Sequence, residues 1–494
     1  MRAHLRCSAA ELEGDTATFH YDFVAAPGTV ADMSWSTSIT PAELAVHDQS
    51  VIPAIPGAYV LACRLSQDLV VEEPLPPALH EGARKVGELL KEWYGWRPAE
   101  LIAPLGEDAV GFGLIGRKLA PKNSPHGLFF TRGVDSWWTL LELQKDPSIE
   151  SPTHLITLDN EVHVPESIRA QTILDTQACA DRLGLTLITV RTDIRAAIDQ
   201  HTDWGFHTHG SVLAGTGLAL RNSLTSATIA PTHWTRYLRP WGSHPDLDGL
   251  WSLPGFEIRH FPGSLPRWQR VESIAKVPLV AETLQVCWQG VSMNNCGRCT
   301  KCLRLRTSLE LCGVSDLFEQ RFDAPFDRDL IDAITHEFPH PWCEIMDQCD
   351  SVGLGGDELR QRWEHVERRG LEGFVYEDRP VQPRIPVDAP NDESIDKLAI
   401  KLAELGARVD RLEREPSGPR IEVDEGDGND LELRIVDGVE TTHVVLSQLT
   451  SGDLESVLSA LGHGLDELVT FNPNGQSPPP RQSRWAPSAA TRPS

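Results

Sequence analysis

The chain has 494 residues, of which 40% are hydrophobic and 23% are charged. This length predicts about three domains and at least one large core, which excludes a mini-protein, a collagen-like chain and wholesale disorder. The 45 basic and 71 acidic residues give a formal net charge of −26, and such a surface repels phosphate backbones, which opposes general nucleic-acid binding. Because no apolar run has the length of a membrane helix and the N-terminus lacks an apolar signal core, we expect a cytoplasmic protein without a membrane association.

The first 117 residues mix two patterns. Phe19 to Val24 alternates as a half-buried strand does, and Leu79 to Tyr94 shows the spacing of an amphipathic helix. We therefore predict an N-terminal α+β cap over residues 1–117.

From residue 118 onward, short β-rich runs alternate with helix-length segments. This alternation is typical of βαβ units and predicts an α/β fold with an open, mostly parallel sheet over residues 118–315. Ligands of such sheets bind at the carboxyl ends of the strands. The predicted strands are residues 127–130, 154–158, 186–192 and 227–232 with a candidate fifth at 256–261, and the predicted helices are 137–143, 168–183 and 209–220.

Residues 129–140 (FFTRGVDSWWTL) join an apolar strand to an apolar helix through a polar turn. Such a turn aims backbone N–H groups and the positive end of the helix dipole at the space above the strand, where an anion can bind. The hydroxyls of Thr131 and Ser136 can add donors, and Asp135 can hold a Mg²⁺ ion that neutralises phosphate charge. The alternative is an ordinary strand-to-helix turn capped by a hydroxyl residue.

Four cysteines follow the pattern C-x8-C-x2-C-x2-C at Cys287, Cys296, Cys299 and Cys302. Two-residue spacings let neighbouring thiolates reach one ion, and the more distant cysteine closes the tetrahedron that Zn²⁺ prefers. The pattern predicts a structural zinc site. An iron–sulfur cluster is the rival metal assignment, and disulfides or free thiols are the non-metal alternatives.

The turn TRGVDS resembles the SGGxDS pyrophosphate loop of the PP-loop ATP pyrophosphatase superfamily, over roughly residues 50–315. The loop is followed some 150 residues later by the four-cysteine pattern, and this combination is similar to the zinc-bearing 7-cyano-7-deazaguanine synthases of queuosine biosynthesis. The extra terminal segments and the run NNCGRCTKCLR suggest a separate branch of that superfamily. The resemblance implies a sheet of the adenine nucleotide α-hydrolase (HUP, PP-loop) type.

The resemblance also implies a reaction. PP-loop enzymes split ATP into AMP and pyrophosphate, so that a carboxylate or amide oxygen becomes an adenylate from which a nucleophile displaces AMP. For this chain it implies a ligase that forms a C–N bond on a deazapurine-like substrate, or that modifies a partner protein as relatives in antiphage operons would. The implied cofactors are ATP, Mg²⁺ and a structural Zn²⁺.

The family's loop positions fall on residues 131–136 of this chain. Thr131, Gly133 and Val134 would bind the nucleotide's phosphates, whereas Arg132, Asp135 and Ser136 carry the catalytic assignments. Arg132 stands where the family has glycine, which costs on the order of 1 to 2 kcal/mol if the position needs a positive φ. Alternatively, its guanidinium reaches the phosphates itself.

Further nucleotide contacts are expected beyond the loop. Asp159 and Thr192 follow the second and third strands of the predicted sheet, where adenine and ribose would lie. His209 and Gly210 begin a helix whose small residues allow close approach to a nucleotide. Simple packing of that helix on the sheet is the alternative.

A third group of residues is assigned to the substrate. His244 and Asp248 lie on a loop after the fourth strand, and either could hold substrate or Mg²⁺ or belong to a solvated loop. Arg270 and Glu272 resemble the K-x-E that opens a helix near the active site of the synthases. A helix-capping ion pair is the competing interpretation.

Beyond residue 315 the sequence predicts separate modules. A heptad seam from Ile395 to Leu412 favours a homodimer through residues 395–412, with packing on the chain's own domain as the alternative. The modules also favour a role that depends on a protein partner. The predicted segments are a helical annex (316–378), a Pro-rich linker (379–390), a short coiled-coil helix (391–415), a small acidic α+β module (416–471) and a disordered tail (472–494).

Two other functions compete with the ligase. In the first, Arg132 has removed turnover and the chain is a non-catalytic nucleotide-binding scaffold that assembles partners through its C-terminal modules. The second is PP-loop sulfur transfer, which needs a catalytic cysteine near the loop. Residues 129–139 contain none.

Overall fold

The computed structural model divides the chain into two units, Met1–Gln382 and Pro383–Ser494. The predicted linker 379–390, the heptad seam 395–412 and the tail from residue 473 lie outside the described residues. Described are residues 1–45, 50–106, 124–145, 150–160, 164–287, 289, 292–332, 334, 340–353 and 358–371, and four strands between residues 420 and 472.

Ten strands of the first unit form one open sheet in the order β10-β9-β6-β7-β8-β3-β2-β1-β4-β5. The five strands from β10 to β8 are mutually parallel, which confirms an α/β fold with a mostly parallel open sheet. The strands are β1 Arg2–Glu13, β2 Thr16–Val24, β3 Met33–Thr40, β4 Asp68–Val70, β5 Leu101–Ile102, β6 His126–Phe129, β7 His154–Asp159, β8 Thr186–Thr192, β9 Ser226–Ile229 and β10 Glu257–His260.

The parallel strands lie close to where the apolar runs place them. β8 coincides with the predicted strand 186–192. β9 ends at Ile229, three residues before the end of the predicted run, where Pro231 has no N–H to donate to a neighbouring strand. β9 therefore gives way to a loop at the carboxyl edge of the sheet.

Residues 1–117, which the sequence assigns to a cap, contribute five strands to the same sheet. β3 pairs antiparallel with β8, with Ile39 opposite Val190, so the N-terminal strands extend the parallel part. In β2 the side chains of Phe19, Tyr21 and Phe23 are buried. The alternation of β2 thus marks the face of the strand that packs into the core.

Helices cover both faces of the sheet. Phe129 of β6 joins a core with α1, α2 and α6, whereas Leu128 and Phe130 join a second core with α3, α7 and α9. No described helix is long and apolar enough to cross a membrane. The helices are α1 Ile55–Arg64, α2 Pro77–Tyr94, α3 Val134–Lys145, α4 Glu166–Leu183, α5 Ile194–Ile198, α6 His209–Leu218, α7 Arg267–Ile274, α8 Pro278–Thr283, α9 Thr300–Leu311, α10 Asp329–Asp332, α11 His340–Ser351 and α12 Glu358–Leu371.

The strand order reverses between β6 and β9. From β6 the chain moves through β7 to β8 on one side, then returns to β9 and β10 on the other side. In open α/β sheets the crevice outside the carboxyl ends of the strands at such a switch point is where ligands bind. The topology therefore predicts that a ligand would bind beside the loops after β6 and β9.

The second unit contains a four-stranded sheet of order β13-β12-β11-β14. β11 and β12 are an antiparallel pair within the predicted acidic α+β module 416–471. The strands are β11 Arg420–Glu425, β12 Leu431–Asp437, β13 Glu440–Leu446 and β14 Val469–Asn472.

His126, at the start of β6, ties the switch-point strands together in a pH-sensitive way. It is 1% exposed, and its ring nitrogens hydrogen-bond to the carbonyl of Glu150 (2.9 Å) and the hydroxyl of Thr228 in β9 (2.8 Å). Burial lowers the pKa of His126 to about 4 from an ordinary value of 6.5. The folded protein therefore holds this imidazole neutral at a pH where the unfolded chain protonates it.

Acidification from pH 6.5 toward 4 should consequently lower the free energy of unfolding, by about 1.4 kcal/mol per pH unit for one such group. Urea denaturation across this pH range should show a smaller loss for His126→Asn than for the unsubstituted protein. Equal losses in both proteins would contradict this assignment.

Candidate functional site

The turn between β6 and α3 is held by its own hydroxyls. The Ser136 hydroxyl donates to the carbonyl of Gly133 (3.1 Å) and accepts from the N–H of Thr131 (3.4 Å). The Thr131 hydroxyl accepts from the N–H of Gly133 (3.4 Å). Helix α3 then begins at Val134 and presents its leading N–H groups at the carboxyl edge of the sheet.

Arg132 adopts the left-handed conformation that the family's glycine would suit, with φ of 59°. Its side chain is 2% exposed, and its guanidinium lies 3.5 Å from the carboxylate of Asp175 on α4. The carbonyl of Arg132 accepts the N–H of Gln285 (3.0 Å). The sequence left two alternatives for Arg132, a strained backbone or a guanidinium that reaches the phosphates. The structure shows the strained backbone, and the guanidinium contacts Asp175 of α4 instead.

Asp135 lies between two arginines of α7. Arg267 donates to one carboxylate oxygen at 2.5 Å, and Arg270 donates to the other at 2.7 Å. Burial alone would raise the pKa of Asp135, but the two guanidinium charges lower it. The sequence expects a Mg²⁺ ligand here, whereas in this structure both oxygens are occupied by guanidinium groups.

Arg270 joins the loops that follow β6 and β9. Its N–H groups donate to the carbonyls of Leu265 (2.9 Å), Pro231 (2.8 Å) and His233 (3.1 Å). The guanidinium also lies 4.8 Å from the ring centre of Trp138. Arg270, predicted as a substrate residue, is thus brought to the start of α3 at the switch point, while Glu272 is exposed on α7.

Two residues that lie beside Asp135 and Arg270 were not predicted from the sequence. Arg267 lies three residues before Arg270, and the spacing of one helical turn could have suggested that both face the loop. Glu344 of α11 accepts the backbone N–H of Arg267 (2.6 Å), and burial raises its pKa. No local pattern connects residues 77 positions apart.

The residues expected near adenine and ribose have other partners. The carboxylate of Asp159 accepts from Arg169 (3.0 Å) and Arg191 (2.9 Å). The hydroxyl of Thr192 donates to the carbonyl of Ser36 (2.7 Å), at the junction of β8 with β3. These bonds do not connect either residue to the turn at 131–136.

His244 and Asp248 belong to a second polar cluster. The buried carboxylate of Asp248 accepts from the Ser243 hydroxyl (2.7 Å) and from Nδ1 of His260 (2.8 Å). Nδ1 of His244 accepts the N–H of Asp246 (3.1 Å), and burial lowers the pKa of His244. The polar side chains of this loop after β9 are therefore bonded to other groups of the protein itself.

The start of α6 packs against that loop. A Cβ at Gly210 would lie 2.3 Å from the carbonyl oxygen of Gly242, so glycine permits the close approach. Nδ1 of His209 bonds the carbonyl of Trp204 (3.0 Å), and burial lowers the pKa of His209. The observed geometry corresponds to the packing alternative for this helix.

The four predicted cysteines converge into a candidate metal centre. Their sulfur atoms all lie within 4.8 Å of one another. The sulfur of Cys302 lies 3.8 Å from that of Cys296 and 3.4 Å from that of Cys299. Four sulfur donors this close fit a structural metal such as zinc, and α9 begins immediately after Cys299.

Asn295 holds the distant cysteine beside the other three. Its side-chain oxygen accepts the N–H groups of Val286 (2.8 Å) and Cys287 (3.0 Å), and its amide donates to the carbonyl of Leu284 (3.0 Å). Asn295 is fully buried. A buried amide directly before Cys296 was the available sequence signal, and the sequence analysis did not use it.

Comparison with protein-family models, with curated proteins and with solved structures finds no match to this chain. The loops at the switch point and the four-cysteine centre are therefore the features of the structure that bear on function. In the structure these two features are one hydrogen bond apart, since Gln285 bonds the loop and Cys287 follows two residues later.

The metal centre predicts a specific loss. Cys299→Ser should reduce bound zinc from about one ion per chain to a small fraction, because serine is a poor zinc ligand and the tetrahedron loses one thiolate. Metal analysis of the purified protein measures this directly. Cys7→Ser, which changes a half-buried thiol in β1, is the matched control and should retain the metal; full zinc content in Cys299→Ser would refute the centre.

Proposed function

We propose that the protein is an ATP-dependent adenylating enzyme of the PP-loop class. It would cleave ATP to AMP and pyrophosphate, activate a carboxylate or amide, and form a C–N bond. The observation that carries the proposal is the turn between β6 and α3, which lies at the switch point and faces two arginines of α7. This arrangement supports binding of a phosphate chain above β6.

The order of the parallel strands supports the same class. β6 is central, with β7 and β8 on one side and β9 and β10 on the other. A nucleotide in the crevice would lie with its phosphates over the turn at 131–136, where Thr131 is exposed. Mg²⁺ would enter with the phosphates of ATP.

The four-cysteine centre would hold Zn²⁺ in a structural role. Four thiolates complete its coordination and leave no open position for chemistry. The centre would brace the loop, because Asn295 fixes residues 286 and 287 and the adjacent Gln285 bonds the carbonyl of Arg132. Loss of the metal would then weaken the loop as well as the local fold.

The acceptor of the adenylate would be a deazapurine-like carboxylate or a carboxylate on a partner protein, and ammonia or an amine would displace AMP. The sulfur-transfer alternative gains no support from Cys179, a described thiol that interacts with the loop. Cys179, whose thiol interacts electrostatically with Arg132, is 1% exposed, and burial raises its pKa.

One observation favours the scaffold as the second candidate. The carboxylate of Asp135 is held by Arg267 and Arg270, and Arg132 has a strained backbone. A chain with these features can bind a nucleotide without turning it over. Release of AMP and pyrophosphate separates the scaffold from the ligase.

The test follows AMP and pyrophosphate from ATP, with and without ammonia and 7-carboxy-7-deazaguanine. Thr131→Glu should lower ATP affinity at least about tenfold, because it places a negative charge beside the phosphates at an exposed position. Thr186→Glu is the matched control, since it makes the same change at an exposed position at the amino end of β8. We expect it to bind ATP normally.

The outcomes are distinct. AMP and pyrophosphate formed together establish adenylation, and dependence on the deazapurine identifies the acceptor. ATP binding without cleavage under every condition supports the scaffold and overturns the ligase. Equal ATP affinities for Thr131→Glu and Thr186→Glu would remove the loop from the nucleotide site.

A further inference from the structure

We propose that Arg267 and Arg270 form an oxyanion site for a phosphate chain, and that Asp135 is its internal counter-anion, which the ligand displaces. This inference rests on the proposed function in taking the switch-point crevice as the nucleotide site. It departs from the sequence expectation, in which Asp135 holds Mg²⁺. The role of Asp135 becomes that of a built-in competitor for the phosphate.

Arg270 is fixed independently of Asp135. Three backbone carbonyls and the Trp138 ring hold its guanidinium, and the side chain is 1% exposed. The N–H that points at Asp135 therefore keeps its direction when another anion replaces the carboxylate. Such a preorganised donor binds an oxyanion without the cost of ordering a mobile side chain.

The exchange of anions needs no opening of the core. The side chains of Asp135 and Arg267 are 23% and 32% exposed, so dissolved anions can reach the ion pair from the crevice. Asp135 is the second residue of α3, and the leading N–H groups of that helix lie at the same place. A ligand that displaces the carboxylate would meet two guanidiniums and these N–H donors together.

The charges favour phosphate over the resident carboxylate. Asp135 offers one negative charge to two guanidinium groups, whereas a phosphate group carries about −1.5 to −2 at pH 7 and has three acceptor oxygens. A diphosphate can bridge both arginines. The site is therefore assigned to a di- or triphosphate chain rather than to a small monocarboxylate.

The inference predicts that removing a carboxylate strengthens anion binding. In buffer without Mg²⁺, calorimetric titration with inorganic pyrophosphate should show about tenfold tighter binding by Asp135→Asn than by the unsubstituted protein. Arg267→Met should bind at least about tenfold more weakly. Glu282→Gln removes a carboxylate from the surface pair with Arg182 and is the matched control, with unchanged affinity expected.

Unchanged or weaker binding by Asp135→Asn overturns the counter-anion role, and unchanged binding by Arg267→Met overturns the oxyanion site. Titration with Mg²⁺ present gives a second criterion. If Asp135 were a magnesium ligand, Asp135→Asn would lose affinity for magnesium pyrophosphate, which also overturns the inference.

Circular dichroism checks that Asp135→Asn is folded. If it is not, phenylglyoxal labelling of the unsubstituted protein replaces it: pyrophosphate should protect Arg267 from modification, and equal labelling with and without pyrophosphate contradicts the site. Failure of the proposed function is read separately, from AMP release. Pyrophosphate binding without AMP release would overturn the ligase and leave the oxyanion site intact.

Discussion

The contact between Asp135 and the two arginines of α7 is the interaction on which the candidate site depends. It connects the turn after β6 to the loop after β9, because Arg270 also bonds two carbonyls of that loop. α3 and α7 also pack on each other through apolar side chains, and this contact adds the polar link between the two loops. Because the side chain of Arg270 is 1% exposed, loss of its anionic partner would leave an uncompensated buried charge, so an anion at this position helps to fix the geometry of both loops.

The four-cysteine centre is connected to the same loop through residues 285–287. Gln285 bonds the backbone of the loop, and Asn295 then fixes the two following residues, so that the sulfur of Cys287 reaches those of the C-x2-C-x2-C run. The bond from the N–H of Gln285 to the carbonyl of Arg132 also helps to hold Arg132 in its left-handed conformation. A strained residue persists only where surrounding contacts determine it, and here the segment that leads into the four-cysteine centre supplies one of them, the bond from Gln285.

The sequence predicts those parts of the molecule whose signal is local. β8 is a β-rich run, the turn at 131–136 lies between a strand and a helix, and the cysteines have ligand spacing. The pairing of β3 with β8 is not local, since Ile39 and Val190 are far apart in sequence. The same limit explains why Glu344, whose partner is on α7, was missed. Asp159 was assigned from its position after a strand and Gly210 from the small residues of its helix, and their observed partners are other parts of the protein.

The net charge of −26 bears on how such a protein could bind a polyanion. Solvent ions screen exposed charges beyond about 8 Å at physiological ionic strength, so an incoming phosphate responds mainly to the groups lining the crevice. Without Asp135, the two guanidiniums would repel each other, offset in part by the carboxylate of Glu344. Asp135 relieves that repulsion in the free protein, and a ligand with more negative charge can then take its place. A strongly acidic chain and a selective phosphate site are compatible for this reason.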